Sequence, residues 1–145
     1  MRRQPLEQVQ IAAAAFLLRK IYKDMFRWGE TERPRLLIAL DEAHRVARDT
    51  TLPRIMKEGR KFGVVVISAS QNLTDFHPEV LGNAGTKIVF RTNHPASRKV
   101  AGFLRGRRNR DIPEIVEQLP VGVAMVQVPE MPYAERVQMY KSDPE

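Results

Sequence analysis

The apolar positions change period along the chain. Over residues 6–28, Leu6, Val9, Ala13, Phe16, Leu17, Ile21 and Met25 recur at steps of three and four, while Arg19, Lys20, Lys23, Asp24 and Arg27 fall mostly elsewhere. That spacing predicts an amphipathic helix, and the four alanines at 12–15 favour helix and allow close packing on a sheet. Beyond a loop bracketed by Gly29 and Pro34, Leu36-Leu37-Ile38-Ala39-Leu40 is an unbroken apolar run that ends in Asp41-Glu42. Such a run reads as a strand buried on both faces, as in a parallel sheet. Residues 63–68 repeat the pattern, and 86–90 make a third, shorter strand. A helix over 52–62 joins the first two, with Pro53 in its first turn and Gly63 just past its end. A short helix is predicted at 78–81, further helices at 95–104 and 112–119, and two last strands at 121–128 and 133–140 around a Pro-rich turn. The alternation predicts an α/β fold: a mostly parallel sheet with flanking helices and a C-terminal β-pair. No repeat or linker interrupts it, so residues 1–145 are expected to form one domain.

Composition changes this picture in three ways. There is no cysteine among the 145 residues, which excludes disulfides, Cys-ligated zinc and thiol catalysis. The histidines 44, 77 and 94 have no metal-ligand spacing and read as loop or capping residues. No apolar run approaches the roughly 20 residues a membrane span needs, and 6–18 lacks a signal peptide's cleavage pattern, so the expectation is a cytoplasmic protein without membrane contact. The formal charge of +7, from 24 Lys+Arg against 17 Asp+Glu, favours a polyanionic partner, nucleic acid first.

Strand ends carry the candidate chemistry. In a parallel sheet, ligands bind at the carboxyl edge. The predicted strands place Asp41 and Glu42, then Ser68, Ser70 and Gln71, then Arg91 at that edge. Acids for a metal and a water, an amide beside a phosphate and a cation for developing charge are what an NTPase needs. The bland reading is a strand that ends in a solvated acidic turn, with Arg60 and Lys61 as solvated cations.

Taken in order, Leu37-Ile38-Ala39-Leu40-Asp41-Glu42-Ala43-His44, Glu58-Gly59-Arg60-Lys61-Phe62-Gly63, Ile67-Ser68-Ala69-Ser70-Gln71 and Thr86-Lys87-Ile88-Val89-Phe90-Arg91 resemble the HerA–FtsK group of ring-forming DNA translocases, closest to its HerA branch. The resemblance runs to about Val128 and includes Leu119-Pro120-Val121-Gly122-Val123-Ala124 as a closing strand. It implies a RecA-like (P-loop NTPase-type) core that uses ATP and Mg²⁺ and moves on double-stranded DNA as a hexamer, with a nuclease partner in DNA-end repair. Asp41 would then be the Walker B aspartate and Mg²⁺ ligand, Glu42 the catalytic glutamate and Gln71 the sensor amide, with Ser70 beside it at the nucleotide. Arg60 is the first candidate for an arginine finger acting across a subunit boundary, and Arg91 the second.

One departure is prominent. The family carries a Gly-rich loop with Lys-Ser/Thr ahead of the Walker B strand, and this chain contains no G-x-x-x-x-G-K-[ST]. The resemblance therefore implies the C-terminal half of a RecA-like domain, unable to hydrolyse ATP well alone. Half a core is also expected to self-associate through the surfaces its other half would cover. Two alternatives stay open. One is a non-catalytic basic module whose Arg98, Lys99, Arg105, Arg107, Arg108 and Arg110, six cations within 13 residues, line a phosphate track near Gly102 and Gly106. The other is a superfamily-2 helicase fragment, since Asp41-Glu42-Ala43-His44 spells a DEAH box; against it, no Q-x-x-G-R-x-G-R motif follows.

Overall fold

The computed structural model describes residues 4–41, 43, 46, 49–71, 76–107 and 112–140. The chain forms two compact units, Met1–Asn83 and Ala84–Glu145.

In the first unit the elements are α1 (Gln4–Met25), β1 (Leu36–Leu40), α2 (Thr51–Glu58) running on into a 3₁₀ turn (Gly59–Phe62), β2 (Val64–Ser68) and α3 (Pro78–Asn83). β1 and β2 pair in parallel, from Leu36 opposite Val64 to Leu40 opposite Ser68. The core under them is built from Leu18, Met25, Leu52, Ile55, Val64 and Val80, with Ile38, Leu40 and Val66 packed against it. Burial alternates along both strands. Leu37, Val65 and Ile67 point the other way and are exposed. The expectation of strands buried on both faces is therefore corrected: an apolar run fixes that both faces can be covered, but only a second layer covers them.

The expected stripe of α1 is also corrected. Leu18, Ile21, Tyr22 and Met25 face the core with Ala14, whereas Val9, Phe16 and Leu17 are exposed. The helix is apolar around much of its circumference, and its packing on α2 and the 3₁₀ turn selects the inward side. Phe26 sits edge-on between Tyr22 and Phe62, with ring centroids 5.2 and 5.1 Å apart, in the geometry aromatic rings prefer. The Tyr22 hydroxyl donates to Glu58 Oε1 at 3.3 Å. Burial, then the charge and hydrogen bond of Glu58, push its pKa up.

Asp49 closes the amino end of α2. Its Oδ1 accepts the Thr51 N–H at 2.7 Å and its Oδ2 the Arg19 guanidinium at 3.2 Å. Burial pushes the Asp49 carboxyl up, but the hydrogen bonds from Thr51 and the charge and hydrogen bond of Arg19 outweigh it and hold the pKa below the ordinary 3.8. A folded pKa below the unfolded one contributes stability above the unfolded value and loses it as pH falls through the folded one. Asp49→Asn is therefore expected to cost about 1–2 kcal/mol at neutral pH. Denaturant midpoints of the two proteins, well separated at pH 7, should converge on acidification below 3.8; a constant gap would refute the linkage.

The second unit holds β3 (Lys87–Val89), α4 (Ala96–Ala101), α5 (Ile112–Glu117), β4 (Val123–Gln127) and β5 (Glu135–Gln138). Its strands form an antiparallel sheet in the order β3–β4–β5. Ile112 and Val116 of α5 are buried, as are Val100, Leu104, Leu119, Ala124 and Met125. Ser97 on α4 is fully buried and donates to Glu117 Oε1 at 2.5 Å, which ties α4 to α5. The fold is thus mixed α/β, a parallel pair plus an antiparallel trio. The expected C-terminal pair is β4–β5, and the third strand joins it instead of extending β1–β2. A three-residue strand carries too little pattern to specify its neighbour. No helix among the described residues is long and apolar enough to cross a membrane.

Candidate functional site

Parallel pairing brings the carboxyl ends of β1 and β2 together. Past the last register pair, Leu40 and Ser68, the two segments stay bonded: Ala69 N donates to Leu40 O at 2.8 Å, and Ala43 N donates to Ala69 O at 2.9 Å. Asp41 directly follows the first bonded position of its segment, Leu40, and Ser70 and Gln71 follow Ala69. The edge therefore carries an exposed carboxylate, a half-buried hydroxyl and an exposed amide on adjoining segments. Glu42 lies outside the described residues.

The resemblance implies Mg²⁺, and the donor set at this edge bears on it. Among the described residues no group of three or more His, Asp and Glu side chains could hold a metal ion unaided. Mg²⁺ does not require one: it keeps several waters and takes one or two carboxylates together with substrate phosphates. A single exposed carboxylate, with a hydroxyl on the adjoining segment, fits that mode and does not fit an all-protein cage.

The opposite ends of the strands are also clamped. Gly63 O accepts both Arg35 N at 2.8 Å and Leu36 N at 3.1 Å, and Thr31 N donates to Lys61 O at 2.8 Å. Arg60 is exposed on the 3₁₀ turn at this end. A five-residue strand spans roughly 15 Å, so Arg60 is not beside Asp41 and Gln71 of its own subunit. Arg91 follows β3, whose partner is β4. Strand pairing therefore brings Asp41, Ser70 and Gln71 together and does not add Arg91 to them.

The basic set belongs to the second unit. Arg98 and Lys99 are exposed on α4, and Arg105 and Arg107 are exposed in the loop after it. Arg108 and Arg110 lie outside the described residues. Sequence reading missed how this loop is held. Gln127, buried on β4, accepts the Arg105 N–H at 2.7 Å through Oε1, and Arg105 O accepts Ala134 N at 2.7 Å. The available sign was a lone amide in the apolar strand Val-Ala-Met-Val-Gln. Lys87, opposite Gln127 in register, donates to Ala84 O at 2.7 Å. Burial, then the neighbouring Arg105 charge, push the Lys87 pKa down. Of the histidines, His77 does cap: its Nδ1 accepts the Glu79 N–H at 3.3 Å at the start of α3. His44 lies outside the described residues.

The chain is similar to known proteins in sequence and in fold. The family model described as "Helicase HerA-like C-terminal" matches residues 7–137. A probable helicase of Methanocaldococcus jannaschii is 30% identical over 133 residues, 87% of this chain and 25% of that protein. A probable DNA double-strand break repair helicase HerA of the same organism is 31% identical over 98 residues, 63% of this chain and 20% of that protein. A DNA double-strand break repair helicase HerA of Sulfurisphaera tokodaii matches to the same extent. This chain therefore spans a fifth to a quarter of the length of these relatives. Among solved structures, the bacterial conjugative coupling protein TrwBdeltaN70 in its unbound monoclinic form superposes with a TM-score of 0.71 at 15% identity, covering 94% of this chain and 38% of that one. At that identity the likeness shows the fold: the RecA-like one, in part.

Proposed function

This chain belongs to the HerA-like C-terminal helicase family, and we propose that it forms the Walker B and sensor part of an ATP-driven translocase on double-stranded DNA. The observation that carries the proposal is the shared carboxyl edge of β1 and β2, where main-chain bonds through Ala69 hold Asp41 alongside Ser70 and Gln71. Asp41 holds the Mg²⁺ of the nucleotide, and Ser70 and Gln71 contact the phosphates. Glu42 takes the proton of the attacking water. When bound, Mg²⁺ neutralises charge on the phosphate oxygens. The position of Arg60 at the far end of β2 suits a finger that reaches a neighbouring subunit's nucleotide, which is the arrangement a hexamer provides. Arg91 is the second choice.

The phosphate loop must come from residues that this chain does not contain, so the chain alone is expected to hydrolyse ATP poorly. The relatives named as double-strand break repair helicases support a DNA partner; a nuclease partner rests on the family resemblance alone. ATP hydrolysis measured with and without double-stranded DNA, alongside light scattering to fix the assembly's mass, tests the reading. Supplying a phosphate-loop half should produce DNA-stimulated turnover in a ring. Turnover by this chain alone would show that phosphates are cradled elsewhere. The absent phosphate loop is also what favours a second reading, a basic DNA-binding module without turnover. Only that reading is indifferent to substitution of Gln71.

A further inference from the structure

A cleft of about 440 Å³ opens in the second unit, remote in sequence from the β1–β2 edge. Ligand sites commonly have volumes of this order. Its floor is apolar: Ile112 and Ile115 from α5 and Met125 from β4. Arg107, in the loop after α4, and Arg136, on β5, line it as well. Arg136 is the register partner of Met125, so the two side chains share a face of the sheet. Glu135 also lines the cleft.

Both walls are built. The loop that carries Arg107 is tied through Arg105 to buried Gln127 and to Ala134, the residue just before β5. The Arg107 guanidinium lies over the Tyr133 ring, 5.9 Å from its centroid. Among the described residues neither Arg107 nor Arg136 has an ion-pair partner. Even Glu135, which lines the same cleft, is not within salt-bridge distance of either. Two exposed guanidinia lining a cleft with an apolar floor, with no carboxylate engaged, call for an anion that also carries an apolar body.

We propose that this cleft binds a single nucleic-acid strand, with Arg107 and Arg136 on successive phosphates and the sugar–base portion against Ile112, Ile115 and Met125. A cleft of about 440 Å³ has no room for a duplex. The choice of nucleic acid over another anion rests on the DNA reading above; the guanidinia alone require only negative charge.

The test is fluorescence anisotropy of a labelled single-stranded oligonucleotide with the full chain, as a function of salt, repeated with the matching duplex and with polyglutamate. Arg107→Gln and Arg136→Gln should each weaken single-strand binding about fivefold near 0.1 M salt and lower the salt slope by about 0.7, the value of one phosphate contact on a single strand. Ile115→Trp, which fills the cleft and keeps both charges, should weaken the single strand and spare the duplex. A circular dichroism melt confirms that each variant is folded. Unchanged single-strand affinity in both arginine variants would overturn the site. An equal loss for the duplex would reduce it to general surface charge, and a loss confined to polyglutamate would assign the cleft to an acidic protein segment. Wild-type protein that binds no DNA at all would instead overturn the DNA reading itself.

Discussion

Replacing Glu42 with glutamine is expected to reduce ATP turnover about a thousandfold in the assembled ATPase while leaving nucleotide affinity in place. Glutamine preserves the shape and removes the basic oxygen. A general base contributes about a hundred- to ten-thousandfold, whereas nucleotide affinity depends on phosphate cradling and Mg²⁺, which Glu42 does not supply in this scheme. Asp41→Asn should behave differently, because in the proposed scheme Asp41 holds Mg²⁺, so weakening it lowers affinity together with turnover. Single-turnover hydrolysis and equilibrium binding of a fluorescent nucleotide separate the two. Wild-type turnover in Glu42→Gln would remove the Walker B assignment, and an unchanged Mg²⁺ dependence in Asp41→Asn would remove the metal role.

The second large effect is structural and lies at the other end of the same strands. Gly63 has φ of +75°, and a Cβ there would stand 2.5 Å from Arg33 O and 2.8 Å from Thr31 Cγ2. The first contact is with backbone, which cannot swing aside. Gly63→Ala therefore combines the left-handed penalty of an L side chain with displacement of the 31–35 loop, and is expected to cost about 2–4 kcal/mol. The displaced loop leads into β1. Arg35 and Leu36 donate to Gly63 O, so the damage enters at the clamp that sets the β1–β2 register. A urea midpoint shift with an unchanged m value would measure it. A loss below about 0.5 kcal/mol would show that the loop yields freely.

These two residues differ in how legible they were. The role proposed for Glu42 rests on a local string, an apolar strand ending in two acids, because strand termination and the carboxyl-edge rule are properties of neighbouring residues. Gly63 was readable as a helix stop, and it is the 3₁₀ turn's left-handed cap. Its tight contact with Arg33 was not readable, since residues 30 positions apart meet only after β1 and β2 pair.

The same division holds elsewhere. The α1 helix was visible in its periodicity, but its core-facing side was not. Val9, Phe16 and Leu17 are as hydrophobic as the residues that turned inward, and only contact with α2 and the 3₁₀ turn distinguishes them. Arg136 drew no notice in the sequence. It gains meaning because antiparallel pairing sets it opposite Met125, and because Gln127 and Ala134 hold the Arg105–Arg107 loop at the same cleft.

Local chemistry along the chain thus sufficed for the elements, for the carboxyl-edge residues of β1 and β2 and for the family resemblance, since periodicity, caps and strand-end acids are short-range signals. Tertiary structure alone decided which strand pairs with which, which apolar face stays uncovered, that Arg60 lies far from Asp41, and that two guanidinia line one cleft. Those depend on contacts between residues distant in sequence, and a linear pattern does not specify its partner.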